Sequence, residues 1–302
     1  MAISTSATGQ ARKAGHVHSM DALVEAIDRT GTPACVGVDP VYEQLPAALK
    51  ASHGTTVGAI VEFTHSVLAA AAGAVPAVKF QSACFERYGH EGFTALEQAI
   101  AEAVRLGLYV ILDAKRGDIG TTSAHYAAAA TGTGSHAITV NGYLGPSGVQ
   151  PFIDAALGVF VLVRTSNPDS DLLQSAKLAD GQTVAEVMAR QVVEMGSTTI
   201  GSRGLAQVGA VVGATKSSEG TSLRRIMQNQ MFLVPGYGAQ GGTADDVRAL
   251  VREGAGSIGE MGVIVNASRS VIYAGANEPD WRVKMHDAAN AFARDVAGIF
   301  RK

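Results

Sequence analysis

Two acids and two bases lie within six residues in the stretch ILDAKRGDIG (111–120): Asp113, Lys115, Arg116 and Asp118. As a plain surface loop this density of charge is costly through like-charge repulsion. As a site, alternating charges hold one another ionised. That is the condition for an ammonium that stabilises developing charge or hands over a proton. Asp113 and Lys115 are two residues apart in an apolar run. On a strand both side chains project from one face, while Leu112 and Ala114 project from the other.

A second segment suits anion binding. VPGYGAQGG (234–242) holds four glycines and Gln240, and a helical pattern begins near Thr243. Backbone amides exposed in a Gly-rich turn, followed by a helix N-terminus, form a nest for a phosphate. The last apolar run ends at Ser268 and Arg269, and arginine suits bidentate phosphate contact.

The elements that must position these groups are eight short, β-branched apolar runs: 34–39, 77–81, 109–115, 137–141, 159–165, 209–215, 232–236 and 262–268. Near-continuous apolar character marks strands buried on both faces. Helical spacing lies between several of them, at 57–72, 91–106, 183–195 and 243–253. Strand and helix in alternation predict an α/β fold with a parallel sheet, and eight repeats favour closure into a single (β/α)8 TIM barrel over an open doubly wound sheet. Five of the eight runs end in charged or hydrogen-bonding residues: Asp39, Lys79, Asp113 with Lys115, Asn141, and Thr165 with Ser166. Strand C-termini of a barrel share one mouth, so these groups converge there. A ring of rim salt bridges is the bland alternative for any one of them. The polar stretch 166–182 reads as an extended loop on that same face.

Composition narrows the function classes. The chain has 302 residues, of which 47% are hydrophobic and 17% charged, so a large core is available and disorder is not expected. A net charge of −3 gives no reason to expect a nucleic-acid or anionic-membrane partner. No apolar run reaches the ~20 residues that span a bilayer, and no central apolar block marks a signal peptide. Residues 1–19 read as a flexible tail with only a faint likeness to a transit sequence, residues 20–302 as one catalytic domain, and the cytoplasm as the location. Cys35 and Cys84 read as buried thiols, and neither they nor the scattered histidines have metal-ligand spacing.

The motifs together resemble the orotidine 5′-monophosphate decarboxylase family. LDAKRGDIGTT (112–122) is similar to its active-site signature. GVDP (37–40), VKFQ (78–81), RTSNP (164–168), VPGYGAQGG and NASR (266–269) follow in matching order, with the RTSNP and PGYGAQGG forms resembling the longer-chain bacterial subfamily. The Asp-x-Lys-Arg-x-Asp core is the specific part.

The resemblance implies a cofactor-free, homodimeric decarboxylase that makes uridine 5′-monophosphate, the last step of de novo pyrimidine nucleotide synthesis. By its pattern Lys115, Asp113, Asp118 and Lys79 form the catalytic charge set. Asp118 and Thr122 cross the dimer interface to complete the partner's site. Asp39 and Lys79 contact ribose hydroxyls, Ile119 borders the pyrimidine, and Ser166 reads its edge. Pro235, Gly236, Gln240, Ser268 and Arg269 surround the phosphate. Thr121, and Asn141 followed by Gly142, depart from the expected pattern outside the core motif. A metal-dependent sugar-phosphate decarboxylase or epimerase barrel, and a nucleotide-binding barrel without activity, are the alternatives. The first needs a metal-coordinating Glu/Asp/His set, and the second a broken charge set.

Overall fold

The structure, a computed structural model, describes residues 17–238 and 241–301. Residues 1–16 of the expected tail, and Gln240, lie outside the described residues. Eight parallel strands close into one barrel in chain order: β1 (Ala34–Val38), β2 (Ala77–Gln81), β3 (Tyr109–Arg116), β4 (Ala137–Val140), β5 (Gly158–Arg164), β6 (Val208–Val212), β7 (Phe232–Pro235) and β8 (Val263–Ala267). Each expected apolar run became a strand. β6 stops three residues before the expected end, because the Gly213 amide bonds back to the Arg164 carbonyl at 2.8 Å and Ala214–Lys216 coils into a 3-10 turn.

Period-two alternation divides the strands between two cores. Cys35, Ala77, Tyr109, Ile111, Ala137, Phe160, Val211, Leu233 and Ile264 fill the barrel interior. Val36, Val78, Phe80, Val110, Leu112, Ile138, Val159 and Val265 face outward, in the core shared with the surrounding helices. Thr183 caps the helix Val184–Gly196 through a reciprocal bond with Glu186, and Thr243 with Asp246 does the same for Ala244–Arg248. That second helix is shorter than the 243–253 expectation. Leu250 closes its last turn on the Val247 carbonyl, and the Arg252 amide then turns to Met261.

Several helices were not anticipated, among them Gly120–Gly132, Pro146–Asp154, Ser217–Ile226 and Trp281–Phe300, and one more bears on the barrel itself. Ser19–Thr30 precedes β1, and its Met20, Leu23, Val24 and Ile27, spaced as one helical face, join the interior cluster. It closes the N-terminal end of the barrel. Ser19 Oγ lies 2.6 Å from Tyr109 Oη and donates to the His136 carbonyl at 2.7 Å, and Asp21 accepts from the Ser202 amide and hydroxyl at 2.7 Å each. Cys35 is buried, and burial pushes its thiol up to about 12; Cys84 is only half-buried. Both are free thiols.

Candidate active site

The inward alternation that packs the barrel's lower layers puts polar groups in its top layer. Past Ala77 and Ile111, the next inward positions are Lys79 on β2 and Asp113 on β3; past Ala137 comes Thr139. These three meet. Lys79 Nζ donates to Asp113 Oδ2 at 2.7 Å, Lys115 Nζ to Asp113 Oδ1 at 2.7 Å, and Thr139 Oγ1 to the same Oδ1 at 2.8 Å. Gln81 Nε2 adds a contact to Oδ2 at 3.3 Å. Asp39 Oδ1 stands 3.7 Å from Lys79 Nζ on the other side. Asp39, Lys79, Asp113 and Lys115 therefore form a row of alternating charge.

Burial sharpens the electrostatics of this row. Asp113 is 6% exposed and Lys79 5%. Burial works against the Asp113 carboxylate, but Lys79 and Lys115 outweigh it and hold its pKa well below the usual range. Burial likewise works against the Lys79 ammonium, and Asp39 and Asp113 outweigh it, so its pKa is raised. The Lys115 side chain is the accessible end of the row, 46% exposed.

Lys115 does not sit on a regular strand. Its φ is 47°, in the left-handed region, and the β3–β4 register shifts between Leu112 and Arg116. Such a conformation costs on the order of 1–3 kcal/mol and persists where its surroundings fix it. Here the Lys115 amide donates to Thr139 Oγ1 at 3.0 Å, and the Asn141 amide donates to the Arg116 carbonyl at 2.7 Å. Arg116 itself turns away to an ion pair with Glu86 and lies over the Tyr126 ring.

The row lines a cavity of about 600 Å³ at the C-terminal mouth, a size suited to a small ligand. Ser166, Pro235, Gly236, Ser268 and Arg269 share that lining. Gly37 makes room for Ser268: a Cβ there would stand 1.9 Å from Ser268 Oγ. Arg269 is exposed and pairs with no carboxylate among the described residues. The Gly-rich turn differs from a ring of free amides. The Gly238, Gly241 and Gly242 amides bond to the carbonyls of Gly242, Gly238 and Gly236 respectively. Gly236, at φ 93°, requires its missing side chain. Asp39 Oδ1 and Asn266 Oδ1 are buried without a hydrogen-bond partner, and both residues line the cavity.

Three expected site residues are not brought into this cavity: Asp118, Ile119 and Thr122. Asp118 Oδ1 accepts from the Ile119 amide at 2.7 Å, its carbonyl accepts from Ser123 Oγ at 3.0 Å, and Ile119 is 62% exposed. Asn141, expected at the mouth, instead caps the turn Gly142–Leu144 by accepting from the Tyr143 amide. Sequence reasoning missed Thr139, Gln81, Asn266 and Gln174, all of which line the cavity. For Gln81, Thr139 and Asn266 the signal was present: each lies two residues beyond an inward-facing strand residue. Gln174, on the loop after β5, carries no such signal.

The chain is similar to known proteins. The sequence model of the orotidine 5′-phosphate decarboxylase / HUMPS family matches residues 17–282. A protein of Rhodopirellula baltica named orotidine 5′-phosphate decarboxylase is 41% identical over 285 residues, covering 86% of this chain and 92% of that one. One of the same name from Deinococcus radiodurans is 41% identical over 251 residues, covering 80% and 85%. The solved structure of Leishmania donovani OMP decarboxylase superposes with a TM-score of 0.74 at 30% identity, covering 94% of this chain and 98% of that one. With the family model spanning most of its length, the chain belongs to the orotidine 5′-phosphate decarboxylase / HUMPS family.

Proposed function

We propose that this chain decarboxylates orotidine 5′-monophosphate to uridine 5′-monophosphate, without a cofactor, in the cytoplasm. The row Asp39–Lys79–Asp113–Lys115 carries the reading. Loss of CO2 breaks the bond to C6 of the pyrimidine and leaves an electron pair on that carbon. Lys115 supplies an ammonium there, first stabilising the developing negative charge and then delivering its proton to C6. Asp113, held ionised by Lys79 and Lys115, lies against the departing carboxylate and ion-pairs with the Lys115 ammonium. Solvent reprotonates Lys115 after turnover.

The other contacts orient the substrate. Asp39 and Lys79 bind ribose hydroxyls, Asp39 Oδ1 making an ion pair with Lys79 but no hydrogen bond of its own. Ser166 meets the pyrimidine edge. Arg269, Gln240, Ser268, Pro235 and Gly236 take the phosphate, far from the reacting carbon, so its binding energy serves to position that carbon. The chain works as a homodimer, in which Asp118 and Thr122 of each subunit complete the other's site beside the pyrimidine-flanking Ile119. Their place outside this chain's own cavity supports that arrangement.

The test is direct. EDTA-treated protein is mixed with orotidine 5′-monophosphate and the pyrimidine absorbance is followed. Conversion that Lys115→Ala lowers by about 10⁴-fold or more is expected, the combined scale of proton transfer and charge stabilisation. No conversion by the folded dimer, or conversion indifferent to Lys115, defeats the proposal.

A further inference from the structure

Arg164, at the end of β5, is the bulkiest fully buried side chain, 1% exposed. A guanidinium at that depth must be neutralised and hydrogen-bonded. Its Nε and Nη2 donate to Glu219 Oε2 and Oε1 at 2.8 and 2.9 Å. Nη1 donates to Ser170 Oγ at 2.8 Å, and Nη2 to Ser175 Oγ at 3.0 Å and to Asp171. Glu219 belongs to the helix after β6; the other partners all lie on the loop that leaves β5.

That loop begins with Thr165 and Ser166. Gln174 Oε1 accepts from the Thr165 amide at 2.8 Å, and Gln174 Nε2 donates to Thr165 Oγ1 at 3.0 Å. Beneath, Gly213 gives Ser166 its seat: a Cβ on Gly213 would stand 3.0 Å from the Ser166 amide nitrogen and Cα. By strand alternation, Arg164 should follow Leu162 toward the barrel axis. The β5–β6 register shifts between Leu162 and Arg164, and the side chain enters the loop instead. The loop is thereby folded around one cation, with Ser166 on its cavity side.

We propose that Arg164 is a positioning residue for the decarboxylation: with Glu219 as its fixed counter-ion, it sets the loop so that the Ser166 hydroxyl meets the pyrimidine edge. The proposal rests on the reading that Ser166 contacts the base. Arg164 touches no substrate; it acts through the loop.

A double-mutant cycle tests it, using the full-length protein with Ser166→Ala, Glu219→Gln and the pair. Ser166→Ala is expected to lower kcat/KM about tenfold, the scale of one net hydrogen bond. Glu219→Gln is expected to lower it comparably, mainly by raising KM, and the pair to be no worse than the worse single variant. A variant that merely unfolds part of the protein reduces kcat at unchanged KM. If Glu219→Gln does not fold, Asp171→Asn takes its place in the same cycle. Losses that multiply to about a hundredfold, or a Glu219 variant with unchanged KM, overturn the positioning role while leaving Ser166 as a contact. An unchanged kcat/KM in Ser166→Ala removes the contact itself, and the positioning role with it.

Discussion

Thr139 Oγ1 bridges Asp113 and Lys115: it donates to the carboxylate at 2.8 Å and accepts from the lysine's own amide at 3.0 Å. One hydroxyl on β4 thus orients the buried anion and also pins the left-handed backbone that aims the ammonium. The pair is not set by β3 alone.

Thr139→Val keeps the shape and removes both bonds. It leaves the partly buried Lys115 amide without its acceptor and takes a donor from the buried Asp113 carboxylate, so the fold should lose about 1–3 kcal/mol. With Lys115 less firmly held, kcat/KM should fall about tenfold or more. Denaturant unfolding and steady-state kinetics on the same preparation check both. Unchanged kinetics would show that Lys115 needs no such support.

The charge row has a defined pH behaviour. The folded Asp113 pKa is depressed, so its contribution to stability is present above the ordinary carboxylate value of about 3.9 and is lost as pH falls through the lower folded value. The folded Lys79 pKa is raised, so its contribution is present below about 10.4 and is lost as pH rises through the higher folded value. Between roughly pH 5 and 9 this pair should therefore add no slope to the unfolding free energy. The stability gap between the protein and Asp113→Asn should be constant there and narrow below about pH 4. A gap that varies steeply near neutrality would contradict the assigned charge states.

Arg269 stands exposed at the cavity's edge without a carboxylate partner among the described residues. Arg269→Ala should reduce kcat/KM for orotidine 5′-monophosphate by about 10–100-fold, the worth of a charge-assisted contact. It should cost orotidine, which lacks the phosphate, far less. Orotidine itself should lose turnover as well as affinity. Equal penalties on both substrates would place Arg269 elsewhere in the reaction.

Asp113→Ala and Asp118→Ala proteins, each impaired alone, should regain part of their activity when mixed, because a mixed dimer can assemble one intact site. Gly148→Ala should behave like Asp118→Ala in this assay: its added carbon would stand 2.5 Å from the Asp118 carbonyl and displace that segment. Proven subunit exchange without recovery would end the shared-site reading.

Much of this was legible in the sequence. The strands were, because burial on both faces leaves unbroken apolar runs, and each ends within a few residues of its expected limit. Lys79 and Asp113 were visible as charges closing such runs. The geometry of Lys115 was only half legible. Period two puts it beside Asp113, but the register shift against β4 and the positive φ at Lys115 are announced by no local pattern. Arg164 misleads for the same reason, since an adjacent strand's slip sends it away from the axis. The helix Ser19–Thr30 was missed although Met20, Leu23, Val24 and Ile27 carry helical spacing, and its destination depends on the whole barrel being formed.

That helix has a consequence for traffic. With Leu23 and Ile27 stoppering the far end, the described residues shape the barrel as a flask whose neck is the C-terminal mouth. In the proposed reaction, gas leaving C6 would depart by that neck rather than through the base. Product release after bond cleavage would then be a queue at that doorway, with the smallest product slipping past the largest.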